Sequence, residues 1–172
     1  MAEQLHTLSI LVENKPGVLT RVAALFARRD FNIKSLTVGE TERADISRMT
    51  IIVDAQNNAP LEQVTKQLNK LVNVLKVVEM PADDCVERRL LLLKVTANDV
   101  TRTGVLQIVE LFRAHVVHVD MDFVVIESVG TLAKLEALLA SLEPYGVREV
   151  VQSGAVAIGR GARSLTDQFK EK

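Results

Sequence analysis

No tryptophan occurs in this chain of 172 residues, which also has one tyrosine, five phenylalanines, one cysteine and three histidines. Each scarcity excludes something. Aromatic residues at 3% leave too few rings for a platform that stacks single-stranded nucleic acid. A formal net charge of −1 provides no global field to gather nucleic acid or anionic lipid. A lone cysteine, Cys85, rules out an intramolecular disulfide and fits a reducing, intracellular setting. No apolar run approaches the roughly 20 residues that span a bilayer. Met1-Ala2-Glu3-Gln4-Leu5-His6 lacks the basic segment and apolar stretch of a secretory signal. The expected location is the cytoplasm, with neither membrane nor nucleic acid as a partner.

Reactive constellations are equally scarce. His115 and His118 have no cysteine or acidic ligand at a metal-binding spacing. Cys85 has no base nearby in the sequence and reads as an inert thiol. Gly159-Arg160-Gly161 is too short and too late in the chain for a phosphate loop. Asp83-Asp84 and Asp120/Asp122 read as solvated turn residues. Without an acid–base pair or a cofactor fingerprint, a binding or regulatory role is favoured over an enzyme.

What is present is a core-forming pattern: hydrophobic residues are 48% and charged residues 25% of the chain. Leu8 to Val12 reads as a strand. Leu19, Val22, Ala23 and Phe26 then recur at the spacing of a one-faced helix. Asn32 to Thr41 and Ser47 to Val53 read as strands joined by a charged loop. Gln56 to Pro60 is a turn, with Pro60 at a helix start. Leu61, Val64, Leu68 and Leu71 mark that helix, and Leu75 to Val78 a short strand. The order repeats: strand Arg89–Thr96, helix Thr103–Ala114, strands Val116–Asp120 and Phe123–Val129. A helix capped by Thr131, a turn at Tyr145-Gly146 and a last strand Val147–Ile158 complete it. Both halves spell β-α-β-β-α-β, so the expected fold is α+β, two tandem ferredoxin-like domains. The expected boundaries are 1–80, a linker 81–88, a second domain 89–160 and a polar, fraying tail 161–172. Gly17 and Gly104 look like matching positions, as do Phe26 and Phe112, with Val100-Thr101-Arg102-Thr103 where the first half has its Pro–Gly turn. Each sheet would leave one face and its edges uncovered, and pairing with a copy of the chain is the simplest cover.

One stretch carries chemistry: Glu13-Asn14-Lys15-Pro16-Gly17-Val18-Leu19, which joins the first strand to the first helix. A helix start presents backbone N–H groups without internal partners at a partly positive dipole end, a setting for a carboxylate. Gly17 removes the Cβ that would block close approach, and the Asn14 amide can both donate and accept. The same residues also describe a plain strand-to-helix turn.

Asn14 to Val22, Leu25 to Arg29 and Phe31 to Gly39 resemble the regulatory (small) subunits of acetolactate synthase, also called acetohydroxyacid synthase. Ser47 to Ile51 and Lys66 to Val72 resemble that family's first domain, an ACT domain. The likeness continues through Gly130-Thr131, Lys134-Leu135, Gly154 and Gly159-Arg160-Gly161. The resemblance implies a subunit without catalysis of its own. It implies one that binds and activates the catalytic (large) subunit and makes it sensitive to L-valine or other branched-chain amino acids. Thiamine diphosphate, magnesium and FAD would belong to that partner. The effector would lie between the ACT domains of a homodimer, with Asn14, Gly17, Val18, Leu19, Asn32 and Ile33 as its contacts. The carboxylate would then meet the Val18 and Leu19 N–H groups, an asparagine carbonyl the ammonium, and apolar groups around Ile33 the isopropyl group. Burying that group is worth about 1.5–3 kcal/mol. The alternatives are a free-standing amino-acid-binding regulator and a ferredoxin-like nucleic-acid module. Asp30, where the family often has glycine, implies slight strain past the first helix. Arg89 and His118 depart from acidic residues in the second half.

Overall fold

The structure is a computed structural model that describes residues 5–54 and 58–170. The turn expected at Gln56-Asn57 lies outside the described residues. The chain divides into two compact units, one of Met1–Val86 with Ala155–Lys172 and one of Glu87–Gly154.

In the first unit, β1 (Leu5–Glu13) is followed by α1 (Val18–Arg28), β2 (Asn32–Glu40), β3 (Ile46–Asp54), α2 (Asn58–Leu68) and β4 (Val74–Glu79). Its antiparallel sheet has the order β2-β3-β1-β4. Strand side chains alternate between faces, so Leu8, Ile10 and Val12 share one face of β1. They pack with Met49, Ile51 and Val53 of β3 and with Val22 and Phe26 of α1. Leu61, Val64 and Leu68 close the same core from α2.

The second unit repeats the design with β5 (Cys85–Thr96), α3 (Arg102–Leu111), β6 (His115–Val119), β7 (Phe123–Gly130), α4 (Leu132–Leu142) and β8 (Val147–Gln152). Its strand order is β6-β7-β5-β8. Leu91, Leu93 and Val95 face Val105 and Val109 of α3 and Leu135, Leu138 and Leu142 of α4. Thr131 caps α4, its Oγ1 accepting from the Lys134 N–H at 3.4 Å. The α+β fold of two tandem βαββαβ units expected from the sequence is the one observed. Among the described residues no helix is long and apolar enough to cross a membrane.

Four local expectations need correction. The strand expected at Arg89 starts at Cys85, after a 3-10 turn at Ala82–Asp84, because buried Cys85 continues the sheet. The strand expected to run from Val147 to Ile158 breaks after Gln152. After Gly154 the chain continues as β9 (Val156–Gly159), which pairs with β5 and belongs to the first compact unit. There the Ala155 N–H donates to Ser35 Oγ at 2.7 Å, and the Arg160 N–H to the Asp84 carbonyl at 2.8 Å. The stretch read as a fraying tail instead forms α5 (Leu165–Lys170). Its start is a capping box: the Ser164 N–H donates to Asp167 Oδ2 and the Asp167 N–H to Ser164 Oγ. The outer face of the first sheet, expected to need a second copy, is met in part by this returning segment. Ser9, Leu11, Thr50 and Ile52 on that face are buried, as are Ala155, Ala157 and Thr166 of the segment.

The fourth correction concerns the internal repeat. Gly17 precedes α1 as its N-cap, with φ +83°, whereas Gly104 lies inside α3 against Tyr145. The buried stripes align instead: Val22 with Val105 and Phe26 with Val109. Asp30 (φ +58°) then matches Arg113 (φ +52°), each the left-handed residue that ends its helix. In this register Glu13 matches Thr96 as the last residue of β1 and of β5. The counterpart of Asn14–Gly17 is therefore Ala97–Val100. The phenylalanines do not match: Phe26 is fully buried within α1, and Phe112 is the C-cap of α3.

Candidate functional site: the turn between the first strand and first helix

Pairing with β3 and β4 ends β1 at Glu13, and the chain then crosses above the sheet before α1 begins. Gly17 turns it with a left-handed φ of +83°, a conformation costly to any residue with a Cβ. A Cβ built there meets nothing within 4 Å, so the glycine faces open space. Gly17 has no side chain to cap α1, and the first turn holds no acidic residue. The Val18 N–H reaches the Lys15 carbonyl only at 3.4 Å, and the first helical bond is from the Arg21 N–H to the Gly17 carbonyl at 3.2 Å. The amides of Val18 and Leu19 therefore stand at a positive helix end with little internal satisfaction. Val18 is buried and Leu19 is exposed.

Asn14 is held from several sides. Its backbone N–H donates to the Asp45 carbonyl at 2.8 Å. Its side-chain Nδ2 donates to the Ala44 carbonyl at 2.9 Å and to Glu40 Oε1 at 3.1 Å. The amide hydrogens are thus committed to the β2–β3 hairpin, and the amide oxygen is left as an acceptor. Beneath the turn, Glu13 accepts from Asn73 Nδ2 at 2.6 Å and pairs with Lys15 Nζ at 3.0 Å. The Asn73 hydrogen bond first, and Lys15 second, hold the Glu13 carboxyl below its usual range. Arg21 donates to Asn73 Oδ1 at 2.8 Å, tying α1 to the same network. Arg43 and Asp45 form a close pair, with 2.7 Å between nitrogen and oxygen, which holds the Asp45 carboxyl below its usual range. A groove of about 360 Å³ runs beside Asn14, walled by Arg43, Asp45, Ile46, Leu75 and Phe169.

Asn32 and Ile33 do not join this turn within one chain. Asn32 pairs with Asp54 at one end of β3, while Glu13 pairs with Ile46 at the other. Eight residues of strand separate those levels, on the order of 25 Å. Asn32 is exposed at the start of the edge strand β2, and Ile33 packs partly against the core. Sequence reasoning missed Glu40, Asn73 and Phe169. Glu40 and Asn73 are polar residues far along the chain that sheet register brings to the turn. The Ser164–Asp167 capping box was the signal for the helix that carries Phe169.

No catalytic grouping stands near the turn. Among the described residues no three of His, Cys, Asp or Glu are placed to share a metal ion, and Cys85 is buried.

Comparison with known proteins gives a consistent result. Residues 8–76 match the family described as the AHAS small subunit-like ACT domain, and residues 88–161 the small subunit of acetolactate synthase. The acetolactate synthase small subunit of Mycolicibacterium smegmatis is 58% identical over 160 residues, 93% of this chain and 94% of that protein. That of Bacillus subtilis is 43% identical over 163 residues, 95% of each chain. The crystal structure of the acetolactate synthase small subunit from Thermotoga maritima superposes with a TM-score of 0.85 at 40% identity. It covers 93% of this chain and 99% of its own.

Proposed function

The chain belongs to the acetolactate synthase small-subunit family, and on that premise we propose that it is a valine-responsive regulator that binds and activates a catalytic subunit. Thiamine diphosphate, magnesium and flavin reside on that partner in this reading. The proposed effector contacts are Asn14, Gly17, Val18 and Leu19 of one protomer with Asn32 and Ile33 of a second. The observation that carries it is the α1 start: a left-handed Gly17 facing open space, with no side-chain cap.

The two-chain arrangement follows from β2 being a sheet edge. Antiparallel pairing of β2 with its copy sets the start of one strand beside the end of the other. The end of β2 is Glu40, which already bonds Asn14. Asn32 and Ile33 of the second copy therefore arrive beside the first copy's Asn14 turn, although the two stretches are far apart within one chain. Exposed Leu36 and Val38 on β2 provide apolar area for that pairing. The effector carboxylate meets the Val18 and Leu19 N–H groups, and the Asn14 amide oxygen and the Glu40 carboxylate face its ammonium. Ile33 takes part of the isopropyl group.

Such an effector binds the paired state better than the separated one, and by linkage it shifts the assembly only by that difference in affinity. Calorimetry with L-valine on the purified chain tests the site. Saturable binding that Gly17→Asp abolishes supports it, and binding that both Gly17→Asp and Asn14→Ala retain overturns it. With the catalytic subunit, valine inhibition is expected to vanish in Gly17→Asp while activation survives.

A further inference from the structure

A second cavity lies within the first unit, between the outer face of its sheet and the returning segment after Gly154. Its volume is about 450 Å³, within the range of small-molecule sites. Its floor is Ser9 of β1, Arg48 of β3 and Val78 of β4; its roof is Ile158 and the loop Gly161–Leu165. Register puts the floor residues together. Ser9 stands opposite Val78, and Leu11, two residues on and on the same face, stands opposite Arg48. Ser9 and Arg48 are thus diagonal neighbours, close enough for one small group to touch both.

The polar atoms of that floor are in an unusual state. Ser9 is fully buried, yet its Oγ has no hydrogen-bond partner, and Arg48 Nε is likewise buried and unpartnered. Buried polar groups in native proteins are normally paired, and each exception calls for a cause. A hydroxyl and a guanidinium N–H can both donate, and an acceptor oxygen, best a charged one beside the guanidinium, would satisfy both. Charge limits which oxyanion. Arg48 and Arg163 line the cavity with Glu79 and Asp84, two positive groups against two negative. Glu79 is hydrogen-bonded to His6 Nδ1 at 2.7 Å. That balance opposes a polyanion, and the unpartnered Arg48 Nε gives a single carboxylate its place. The remaining wall includes Val78, Met80, Ile158 and Leu165, which suits an aliphatic body.

We propose that this cavity binds a small aliphatic monocarboxylate, its carboxylate on Arg48 and Ser9 and its hydrocarbon part against Met80, Ile158 and Leu165. The site shares no residue with the Asn14–Leu19 turn and stands or falls separately from it. It also has a structural consequence. The roof belongs to the segment that returns from the second unit, so the ligand fastens Gly161–Leu165 onto the first sheet.

The test is a nuclear magnetic resonance titration of the ¹⁵N-labelled full chain with 3-methylbutanoate, following the amides of Gly161–Leu165. Saturable shifts are expected there. Arg48→Gln should weaken binding about tenfold and Ser9→Ala about threefold, as expected for loss of hydrogen bonds to a charged group. Gly17→Asp should leave it unchanged. Ser9→Ala removes one oxygen only and carries the test if Arg48→Gln does not fold. Absence of saturation, binding indifferent to both substitutions, or inorganic phosphate shifting the same amides as strongly would each overturn the proposal.

Discussion

The two units share a fold and a register, yet their helix starts are finished differently. In the second unit, Asn98 Oδ1 accepts from the N–H groups of Val100 and Thr101, each at 3.0 Å. Arg102, the first residue of α3, donates to the carbonyls of Ala97 at 2.9 Å and Met121 at 2.7 Å. That turn is closed by its own side chains. Neither helix is capped by the side chain of its N-cap residue, but the matching turn of the first unit has Gly17 where the second has exposed Val100. The same fold thus carries one turn tied by an asparagine acceptor of its own and one whose Val18 N–H reaches a carbonyl only at 3.4 Å.

The sharpest way to break this comparison is Gly17→Asp. The new side chain would add negative charge where a carboxylate is to bind, at a backbone angle it tolerates poorly. Valine affinity is expected to fall by about 100-fold or more, near 2.7 kcal/mol, as read by calorimetry. The largest stability effect should come from the matched core positions. Phe26→Ala should cost about 3–5 kcal/mol, and Val109→Ala less because fewer atoms leave the core. Denaturant unfolding would give both values.

Asn98→Ala sharpens the contrast further. Removing the Asn98 acceptor should destabilise the protein by about 1 kcal/mol without changing valine binding. Asn14→Ala should do the reverse, weakening the effector while costing less stability. Equal stability losses would mean that the two turns are not different in kind. Asp30→Gly and Arg113→Gly should each stabilise by about 0.5–1 kcal/mol, since both residues hold left-handed angles that glycine adopts without strain. The smallest effect concerns pH. Glu13 is held below its usual carboxyl range by Asn73 and Lys15. Its contribution is present above the ordinary value for a free carboxyl and is lost as pH falls through the lowered folded value. Glu13→Gln should therefore cost a little stability at neutral pH, leave the most acidic conditions unchanged, and so flatten the acid side of the stability profile.

The periodic parts of this molecule were readable. Leu8, Ile10 and Val12 alternate, and Val22 and Phe26 follow a helical stripe; their burial follows from those spacings, while Leu19 at the head of that stripe is exposed. The turn at Asn14–Leu19 was also readable, because its proline, glycine and asparagine act on the backbone locally. Gly104 misled because it resembles Gly17 in sequence, while its role is to let α3 approach Tyr145, where a built Cβ would come within 2.5 Å of the hydroxyl. The break after Gln152 falls at Gln152-Ser153-Gly154, a short polar stretch with a glycine between two valine-rich runs, which reading Val147 to Ile158 as one strand passed over.

Local order alone determined the two βαββαβ units, the residues of each core and the turn with its exposed amides, since alternation and helical spacing act over a few residues. Only the tertiary structure decided that the chain after Gly154 returns to the first unit. It alone set Asn32 and Asn14 at opposite ends of that sheet, and Ser9 beside Arg48 under a loop more than a hundred residues away. The reason is physical: strand register and packing between distant segments decide which faces are covered, and neither leaves a period in the sequence.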